Sequence, residues 1–285
     1  MRLHGSTRKS LALRDIRHVA LDMDGTIYRG KTLFATTAPF LSTLEELGIR
    51  YMLLTNNPSR SVSGHLQHLT ELGLSITQDQ LYTSTHATLE YLREQWPVSK
   101  KLFVLGTPGM CEEFRSAGFT LLPDDPEAEP DAVIVGFDTT LTYSRLCRAA
   151  WWISRNKPYF ATNPDRICPT DQPTVLVDCG SLCAALEAAT GRAPTAVLGK
   201  PDPAMIRGIL HRHSLEPHQL AMVGDRLYTD IAMAHHVGAF GVLVLTGETS
   251  AEVAARHRPP PDLIVDDLAQ LAAKLREAHR EGVAA

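Results

Sequence analysis

The sequence lacks the features that mark membrane, secreted and nucleic-acid-binding proteins. It has no apolar run near the roughly 20 residues that a membrane-spanning helix needs. Its basic N-terminal segment, residues 1–15, lacks the apolar core of a secretory signal. A formal net charge of −4 is too balanced to suggest a nucleic-acid or membrane surface. We therefore expect a cytoplasmic protein with no nucleic-acid partner and no membrane partner.

Cysteine usage argues against a zinc site and against a disulfide framework. The five cysteines form no CxxC pair and no zinc-ligand spacing, and their number is odd. A reduced protein is the simplest account, which agrees with a cytoplasmic location. The cysteines are Cys111, Cys147, Cys168, Cys179 and Cys183.

Strands and helices alternate at both ends of the chain. Apolar runs at 18–22 and 49–54 are typical of buried strands, and the segment 37–48 between them has the spacing of a helix. The same alternation returns around 220–224 and 241–245. Because strand–helix–strand units give parallel strands with crossover helices, the pattern predicts an α/β fold with a doubly wound parallel sheet, a Rossmann-like core.

A second α/β unit interrupts this core. Strand patterns at 101–105 and 132–136 are separated by an acidic, proline-rich spacer, and a further strand–helix unit follows. We interpret 98–193 as an inserted α/β domain. The predicted core then consists of the two flanking segments, 1–97 and 194–285.

Two acids follow directly on the first predicted strand. Asp22 ends the apolar run and Asp24 comes two residues later, within Asp-Met-Asp-Gly-Thr. An unpaired carboxylate at the end of a buried strand is costly, and a second carboxylate nearby adds repulsion. A divalent cation removes both costs, and carboxylate oxygens suit Mg²⁺. The alternative is a strand that simply ends in an Asp-Gly turn.

Further polar groups follow the next strand and open a later helix. Thr55, beside Asn56 and Asn57, can donate a hydrogen bond to a phosphate oxygen. Lys200, in Gly-Lys-Pro, can place its ammonium group beside a phosphate and an attacking carboxylate. Taken alone, the first stretch could be an ordinary loop and the second a solvated lysine.

A third predicted strand also ends in an acid. Asp225 can bind a metal directly, and Asp230 can orient either a metal-bound water or Lys200. Asp230 is also suited to cap a helix predicted for 230–238, and the two roles are compatible. Ligands of open parallel sheets bind at the carboxyl ends of strands, so all of these groups should meet in one crevice.

In their order and spacing, these stretches resemble the four motifs of the haloacid dehalogenase superfamily. The long gap between the second and third motifs resembles the inserted cap of type II members, and further stretches point to the type IIA subgroup. The motifs are DMDGT, LLTNN, GKP and VGDRLYTD, and the further stretches are TNNPSRS, YTST, IVGFD, ATNPD and LCAALEAATGR.

The resemblance implies a Mg²⁺-dependent hydrolase of phosphomonoesters. Type IIA members resemble phosphatases of nucleotides, sugar phosphates, phosphoglycolate, pyridoxal phosphate or p-nitrophenyl phosphate, so a small phosphorylated metabolite is the expected substrate. Asp22 would attack phosphorus and form an aspartyl-phosphate. Asp24 would protonate the leaving oxygen and then activate water. Thr55 and Lys200 would complete the catalytic set by stabilising the phosphoryl group.

The same resemblance implies the ligand sets. Mg²⁺ would be held by Asp22, Asp225 and the backbone carbonyl of Asp24, with Asp230 outside this set as an orienting acceptor. The cap would lie over the crevice and exclude water. The expected substrate-binding residues are Thr55, Asn56, Asn57, Lys200, Asp165, Arg166 and Cys168.

A loop in the inserted unit is the expected specificity element. Arg166 would meet an anionic group of the substrate and Cys168 would line the leaving-group pocket; the alternative is a loop that faces solvent. Type IIA chains often carry Gly-x-Gly-Ser before the cap helix, where this chain has Asp-Cys-Gly-Ser from Asp178 onward. This departure makes the transfer of any particular substrate unsafe.

Two other functions remain open from the residues alone. A non-catalytic protein could sense a phosphorylated metabolite with the same cleft, although every expected catalytic residue is present. A phosphotransferase could pass the phosphoryl group to another alcohol. Caps of this kind often form dimers, which would allow a homodimer through the cap.

Overall fold

The computed structural model describes residues 12–170 and 172–281, and their strands form four sheets. Six strands make one parallel sheet, five make a second, and two hairpins contain the remaining four. The prediction for residues 1–11 lies outside the described residues. The strands are β1 (His18–Asp22), β2 (Tyr28–Arg29), β3 (Thr32–Leu33), β4 (Arg50–Thr55), β5 (Leu81–Thr83), β6 (Lys101–Leu105), β7 (Thr120–Leu121), β8 (Ala132–Val135), β9 (Tyr159–Ala161), β10 (Ile167–Pro169), β11 (Val175–Val177), β12 (Ala196–Val197), β13 (Leu220–Gly224), β14 (Phe240–Val244) and β15 (Leu263–Val265).

Helices alternate with these strands, and local signals mark their ends. Thr107, Thr142 and Asp178 each precede a helix and accept a hydrogen bond from a backbone N–H group of it. Gly191 ends a helix in the left-handed conformation, with φ of 71°. Within the described ranges, no helix is both long and apolar enough to cross a membrane. The α-helices are α1 (Thr37–Glu46), α2 (Val62–Glu71), α3 (Ser84–Gln95), α4 (Pro108–Ser116), α5 (Tyr143–Ser154), α6 (Cys179–Thr190), α7 (Ala204–His213), α8 (Ala232–Val237), α9 (Ala251–Arg256) and α10 (Leu268–Glu281).

The first sheet is the predicted Rossmann-like core. Its strand order is β15-β14-β13-β1-β4-β5, and all neighbouring strands are parallel. His18 of β1 is in register with Leu220 of β13 on one side and with Arg50 of β4 on the other. The carboxyl ends of these three strands therefore lie side by side, and the residues that follow them share one edge of the sheet.

Helices cover both faces of this core sheet. Val19 and Leu21 pack with α1 and α10 on one face, whereas Ala20 and Met52 pack with α7 and α8 on the other. Successive side chains of a strand point to opposite faces, so a strand covered on both sides is apolar almost throughout. This packing explains why β1 has an uninterrupted apolar centre.

The second sheet belongs to the predicted inserted unit. Its order is β12-β9-β8-β6-β7, again with parallel neighbours. Helices α5 and α6 pack on one face, and α3 and α4 pack on the other. The predicted fold class, a doubly wound parallel α/β sheet with an inserted α/β domain, is confirmed. The predicted domain boundaries stay predictions, and we propose that the cap continues to Val197 because β12 pairs within its sheet.

One predicted element begins later than expected. The segment 230–238 was predicted as a single helix, but Leu227–Ile231 form a π-helical turn before α8. The expectation that Asp230 caps this helix is wrong. Its carboxylate accepts hydrogen bonds from Lys200 Nζ and from the backbone N–H of Arg226 instead.

Candidate active site

Two acids lie at the end of β1, and neighbouring hydroxyl groups orient both of them. Thr26 Oγ1 donates to Asp22 Oδ2 at 3.1 Å, and Tyr28 OH donates to Asp24 Oδ2 at 3.1 Å. Gly25, which follows Asp24, has φ of +88°, and a Cβ there would lie 2.5 Å from Asp225 Oδ2. A tight glycine turn therefore brings the end of β1 against the end of β13.

Lys200 joins the first acid to the acid of the π-helical turn. Its Nζ donates to Asp22 Oδ1 and, at 2.8 Å, to Asp230 Oδ1. Lys200 is only 3% exposed. Burial disfavours its charged form, but Asp22 and Asp230 outweigh burial and raise its pKa above the ordinary value. The ammonium group is therefore charged wherever the protein is folded at moderate pH.

Asn56 fixes the backbone that carries this lysine. Its Oδ1 accepts from the Lys200 backbone N–H at 2.7 Å, and its Nδ2 donates to the Lys200 carbonyl at 2.9 Å. The preceding Gly199 has φ of +74°, and a Cβ there would lie 2.6 Å from the carbonyl oxygen of Thr162. Two hydrogen bonds thus join the Thr-Asn-Asn stretch directly to the Gly-Lys-Pro stretch.

Three buried carboxylates form a cluster that has the character of a cation site. One oxygen from each of Asp22, Asp225 and Asp230 lies within 4.8 Å of the other two. Asp225 Oδ2 accepts from the Glu248 backbone N–H at 2.6 Å, whereas Asp225 Oδ1 has no hydrogen-bond partner among the described residues. An unpartnered buried carboxylate oxygen is costly, and such oxygens are suitable ligands for a hard divalent cation.

The pKa values of these acids reflect their burial and their mutual repulsion. Burial, followed by the charges of Asp22 and Asp230, raises the pKa of Asp225 to about 8. Burial also raises the pKa of Asp230 to about 6, against the pull of Lys200. Burial and the nearby Asp22 raise the pKa of Asp24 to about 6. A carboxyl group that holds its proton near neutral pH is suited to act as a general acid.

A cavity lies above these groups, between the core and the inserted unit. Eight of the predicted site residues line it: Asp22, Asp24, Thr55, Asn56, Asn57, Asp165, Cys168 and Lys200. Four residues that were not predicted to bind substrate or metal also line it: Ile167, Asp178, Arg226 and Thr229.

Arg166 is a predicted binding residue that the structure does not bring to this cavity. It is exposed and is not among the described residues that line the cavity. Its backbone carbonyl accepts a hydrogen bond from Ser181 Oγ, which ties the loop to α6. The guanidinium group of the cavity belongs to Arg226 instead, which follows Asp225 directly in the sequence.

Polar contacts join the cap to the core at the edge of the cavity. Asp165 accepts from Asn56 Nδ2 at 3.1 Å and pairs with Arg226 Nη1 at 3.4 Å. Asn163 Nδ2 donates to the carbonyl of Asn56 at 2.9 Å. Arg226 Nε also lies 3.0 Å from Glu248 Oε2. In the sequence, Arg226 directly follows a strand-end acid, which predicts a place at the edge of the site but no chemical role.

Comparison with known proteins identifies the family. Residues 19–120 match a family model described as haloacid dehalogenase-like hydrolase, and residues 197–271 match one described as HAD-hydrolase-like. The chain is 32% identical over 237 residues to the ribonucleotide monophosphatase NagD of Escherichia coli K12, covering 83% of this chain and 90% of that relative. The chain belongs to the haloacid dehalogenase superfamily. Within it, this phosphoric monoester hydrolase is a type IIA phosphatase.

Solved structures of the superfamily agree in sequence and in fold. A 4-nitrophenylphosphatase from Thermotoga maritima is 37% identical with a TM-score of 0.86, covering 92% of this chain and 98% of that chain. A glycerol phosphate phosphatase from Mycobacterium tuberculosis, in complex with magnesium, is 32% identical with a TM-score of 0.82, covering 91% and 77%. Haloacid dehalogenase phosphatases use a divalent metal, and the acidic cluster here offers the matching oxygen ligands.

Proposed function

We propose that this protein is a Mg²⁺-dependent phosphatase that hydrolyses phosphomonoesters of small metabolites through an aspartyl-phosphate on Asp22. The observation that carries the proposal is the buried cluster of Asp22, Asp225 and Asp230, in which Lys200 bonds Asp22 and Asp230, beside a cavity that Asp22 and Lys200 line. Curated relatives include a ribonucleotide monophosphatase and an acid sugar phosphatase from Staphylococcus aureus. We infer a substrate of that class, a sugar phosphate, a nucleoside monophosphate or a similar compound.

The residues around Asp22 can perform both halves of the reaction. Asp22 attacks phosphorus while Lys200 and the Thr55 hydroxyl stabilise the charge on the phosphoryl oxygens. Asp24, held by Tyr28 and protonated near pH 6, donates its proton to the leaving oxygen. As a carboxylate it then accepts a proton from the water that hydrolyses the aspartyl-phosphate.

The donor set fits Mg²⁺, which would neutralise the acids and the charge of the phosphoryl group. We propose Asp22, Asp225 and the backbone carbonyl of Asp24 as its protein ligands. Asp230 is already engaged by Lys200 Nζ and by the Arg226 N–H, so its proposed role is to orient Lys200. The unpartnered Asp225 Oδ1 is the atom that most needs a cation.

The cap would close the cavity above the phosphoryl group. Asp165 and Cys168 line its upper side, and exclusion of water there would protect the intermediate from premature hydrolysis. Arg226, and not Arg166, supplies the guanidinium group of the cavity, where it pairs with Asp165 and Glu248. Its pairing with Asp165 holds the cap loop against the core.

The test is phosphate release from p-nitrophenyl phosphate by wild type and by Asp22→Asn. We expect Mg²⁺-dependent release by wild type, loss with a chelator, and a decrease of at least about 1,000-fold in the variant, since asparagine is no nucleophile. Asp267→Asn is the matched control, because the Asp267 side chain is not among those that line the cavity and accepts the Gln270 N–H at the start of α10, which asparagine can also accept. Full activity of a folded Asp22→Asn protein would contradict the assignment.

An added alcohol tests the phosphotransferase alternative in the same assay. Glycerol present during turnover should leave inorganic phosphate as the product, whereas a transferase would form glycerol phosphate. Membership of a phosphatase family argues against the non-catalytic sensor. Catalytic release of phosphate in the assay would remove that alternative.

A further inference from the structure

The cap side of the cavity is rich in carboxylates and poor in available cations. Asp165 and Asp178 both line it. Among the described residues that line the cavity, the cations are Lys200 and Arg226, and neither is uncommitted. Lys200 bonds two acids of the core, and Arg226 is shared between Asp165 and Glu248. The net character of this wall is therefore that of a hydrogen-bond acceptor.

Asp178 is the member of this wall that the proposed chemistry does not use. It precedes α6, where its Oδ1 accepts from the Cys179 backbone N–H at 2.5 Å. It is 4% exposed although it lines the cavity. Its carboxyl group is thus held rigidly by the start of a helix, in a place where a bound substrate would remove most of its remaining contact with water.

Asp178 lies beside the cap loop that carries Cys168. Its backbone N–H donates to the Arg166 carbonyl at 3.0 Å, and Leu176, two residues before it, pairs with Cys168 across the β10–β11 hairpin. The side chains of Asp24, Cys168 and Asp178 line the same cavity. Since the proposed role of Asp24 is to protonate the leaving oxygen, the rest of the leaving group would extend past Cys168 towards Asp178.

We propose that Asp178 is a specificity-determining residue that selects phosphomonoesters whose leaving group ends in a hydrogen-bond donor, a hydroxyl or an ammonium group. This inference rests on the proposed phosphatase function. A donor replaces the water that substrate binding removes from this carboxylate, whereas an alkyl end leaves it with its bonds to the protein alone, such as that from the Cys179 N–H. Burial raises the pKa of Asp178 to about 7, so the group is a carboxylate above that pH. There, a leaving group that ends in a carboxylate adds a like charge to the wall and is disfavoured.

Four short phosphomonoesters separate these chemistries at nearly constant size. They are 2-hydroxyethyl phosphate, 2-aminoethyl phosphate, propyl phosphate and 2-phosphoglycolate, with p-nitrophenyl phosphate as a reference. For wild type, kcat/KM for the hydroxyl and ammonium compounds should exceed that for propyl phosphate by about 10- to 100-fold, the usual value of a hydrogen bond to a charged group. Comparison of the hydroxyl and ammonium compounds shows which donor is preferred.

Asp178→Ser is the variant to measure, because serine still caps a helix but removes the carboxylate. It should bring the ratio of kcat/KM for the donor compounds over propyl phosphate close to 1 and improve the relative turnover of 2-phosphoglycolate. Asp178→Asn should keep more of the preference for the hydroxyl than for the ammonium group. Thr142→Ala is the control, because it removes the cap of α5 outside the cavity and should leave the wild-type ratios unchanged.

The outcomes distinguish the two proposals. Release from p-nitrophenyl phosphate with equal turnover of the hydroxyethyl and propyl esters would overturn the role of Asp178 and leave the phosphatase intact. The same conclusion would follow if folded Asp178→Ser, checked by its far-UV spectrum, kept the wild-type ratio. Absence of Mg²⁺-dependent release from every ester by folded wild type would overturn the proposed function itself, and the specificity role with it.

Discussion

Replacement of Lys200 by methionine should reveal how strongly one buried cation holds the acids of the site. Methionine has an apolar chain as long as the lysine stem but lacks the ammonium group. Lys200 is 3% exposed and bonds Asp22 and the fully buried Asp230. Loss of one partner from a buried ion pair costs about 3–5 kcal/mol, because a carboxylate is left without its counter-charge. The free energy of unfolding of the metal-free protein should fall by this amount.

A double variant separates lost charge balance from lost packing. In Lys200→Met with Asp230→Asn, a carboxylate is removed together with its cation, while the asparagine oxygen can still accept the Arg226 N–H. We expect the double variant to be more stable than Lys200→Met alone by at least about 1 kcal/mol. Wild type, the two single variants and the double variant form a double-mutant cycle. Urea unfolding followed by far-UV circular dichroism, at pH 7.5 with a chelator, measures the free energy of unfolding of all four proteins.

Two results would refute this reasoning. If Lys200→Met changed the free energy of unfolding by less than about 1 kcal/mol, the ammonium group would not be balancing the buried acids. If the two single changes added without coupling, Lys200 and Asp230 would not interact in the way that their 2.8 Å contact indicates.

Three further predictions concern catalysis, the turn and pH. Asp24→Asn should lower kcat for alkyl phosphates by about 100- to 10,000-fold. The loss for p-nitrophenyl phosphate should be much smaller, because nitrophenolate leaves without a proton. Equal losses in kcat for the two kinds of substrate would contradict a general-acid role. Gly25→Ala should lower the free energy of unfolding by about 1–3 kcal/mol, since φ is +88° and the new Cβ would lie 2.5 Å from Asp225 Oδ2; urea unfolding at the wild-type level would show that the turn adapts. Burial, then the charges of His213 and Arg50, lowers the pKa of His18 to about 3. Between about pH 3 and 6.5 the unfolded state therefore binds more protons than the folded state, and the free energy of unfolding falls as the pH falls through that window. From pH 7 to pH 5 this group should remove about 2 kcal/mol, and His18→Gln should lose correspondingly less over the same urea titrations.

Much of the site could be predicted because it depends on strand order and on residues at strand ends. Asp22 and Thr55 are the last residues of β1 and β4, and Asp225 follows β13 directly; the core sheet places these three strands side by side. The parallel connection rule makes such residues neighbours whatever the details of the helices. Asp24 and Lys200 line the same cavity. Their chemical roles stay proposals until the variants are measured.

The local sequence predicted helix starts and the directions of loop side chains less well where one loop packs against another. The helix predicted for 230–238 was interrupted at its start, because Asp230 turns inward to bond Lys200. Arg166 and Arg226 are equally basic in the sequence, yet only the second lines the cavity. No periodicity distinguishes them, since the direction of a loop side chain depends on what packs against it.

The sequence by itself determined the α/β class, the insertion of a second unit and the strand ends at which the acids gather. These features follow from the spacing of apolar residues and from the geometry of parallel strands, which act over short stretches of chain. Only the tertiary structure decided which arginine reaches the cavity and that Asp178 lines it. Such placements depend on contacts between the core and the cap, such as Arg226 with Asp165, whose partners are far apart in the chain.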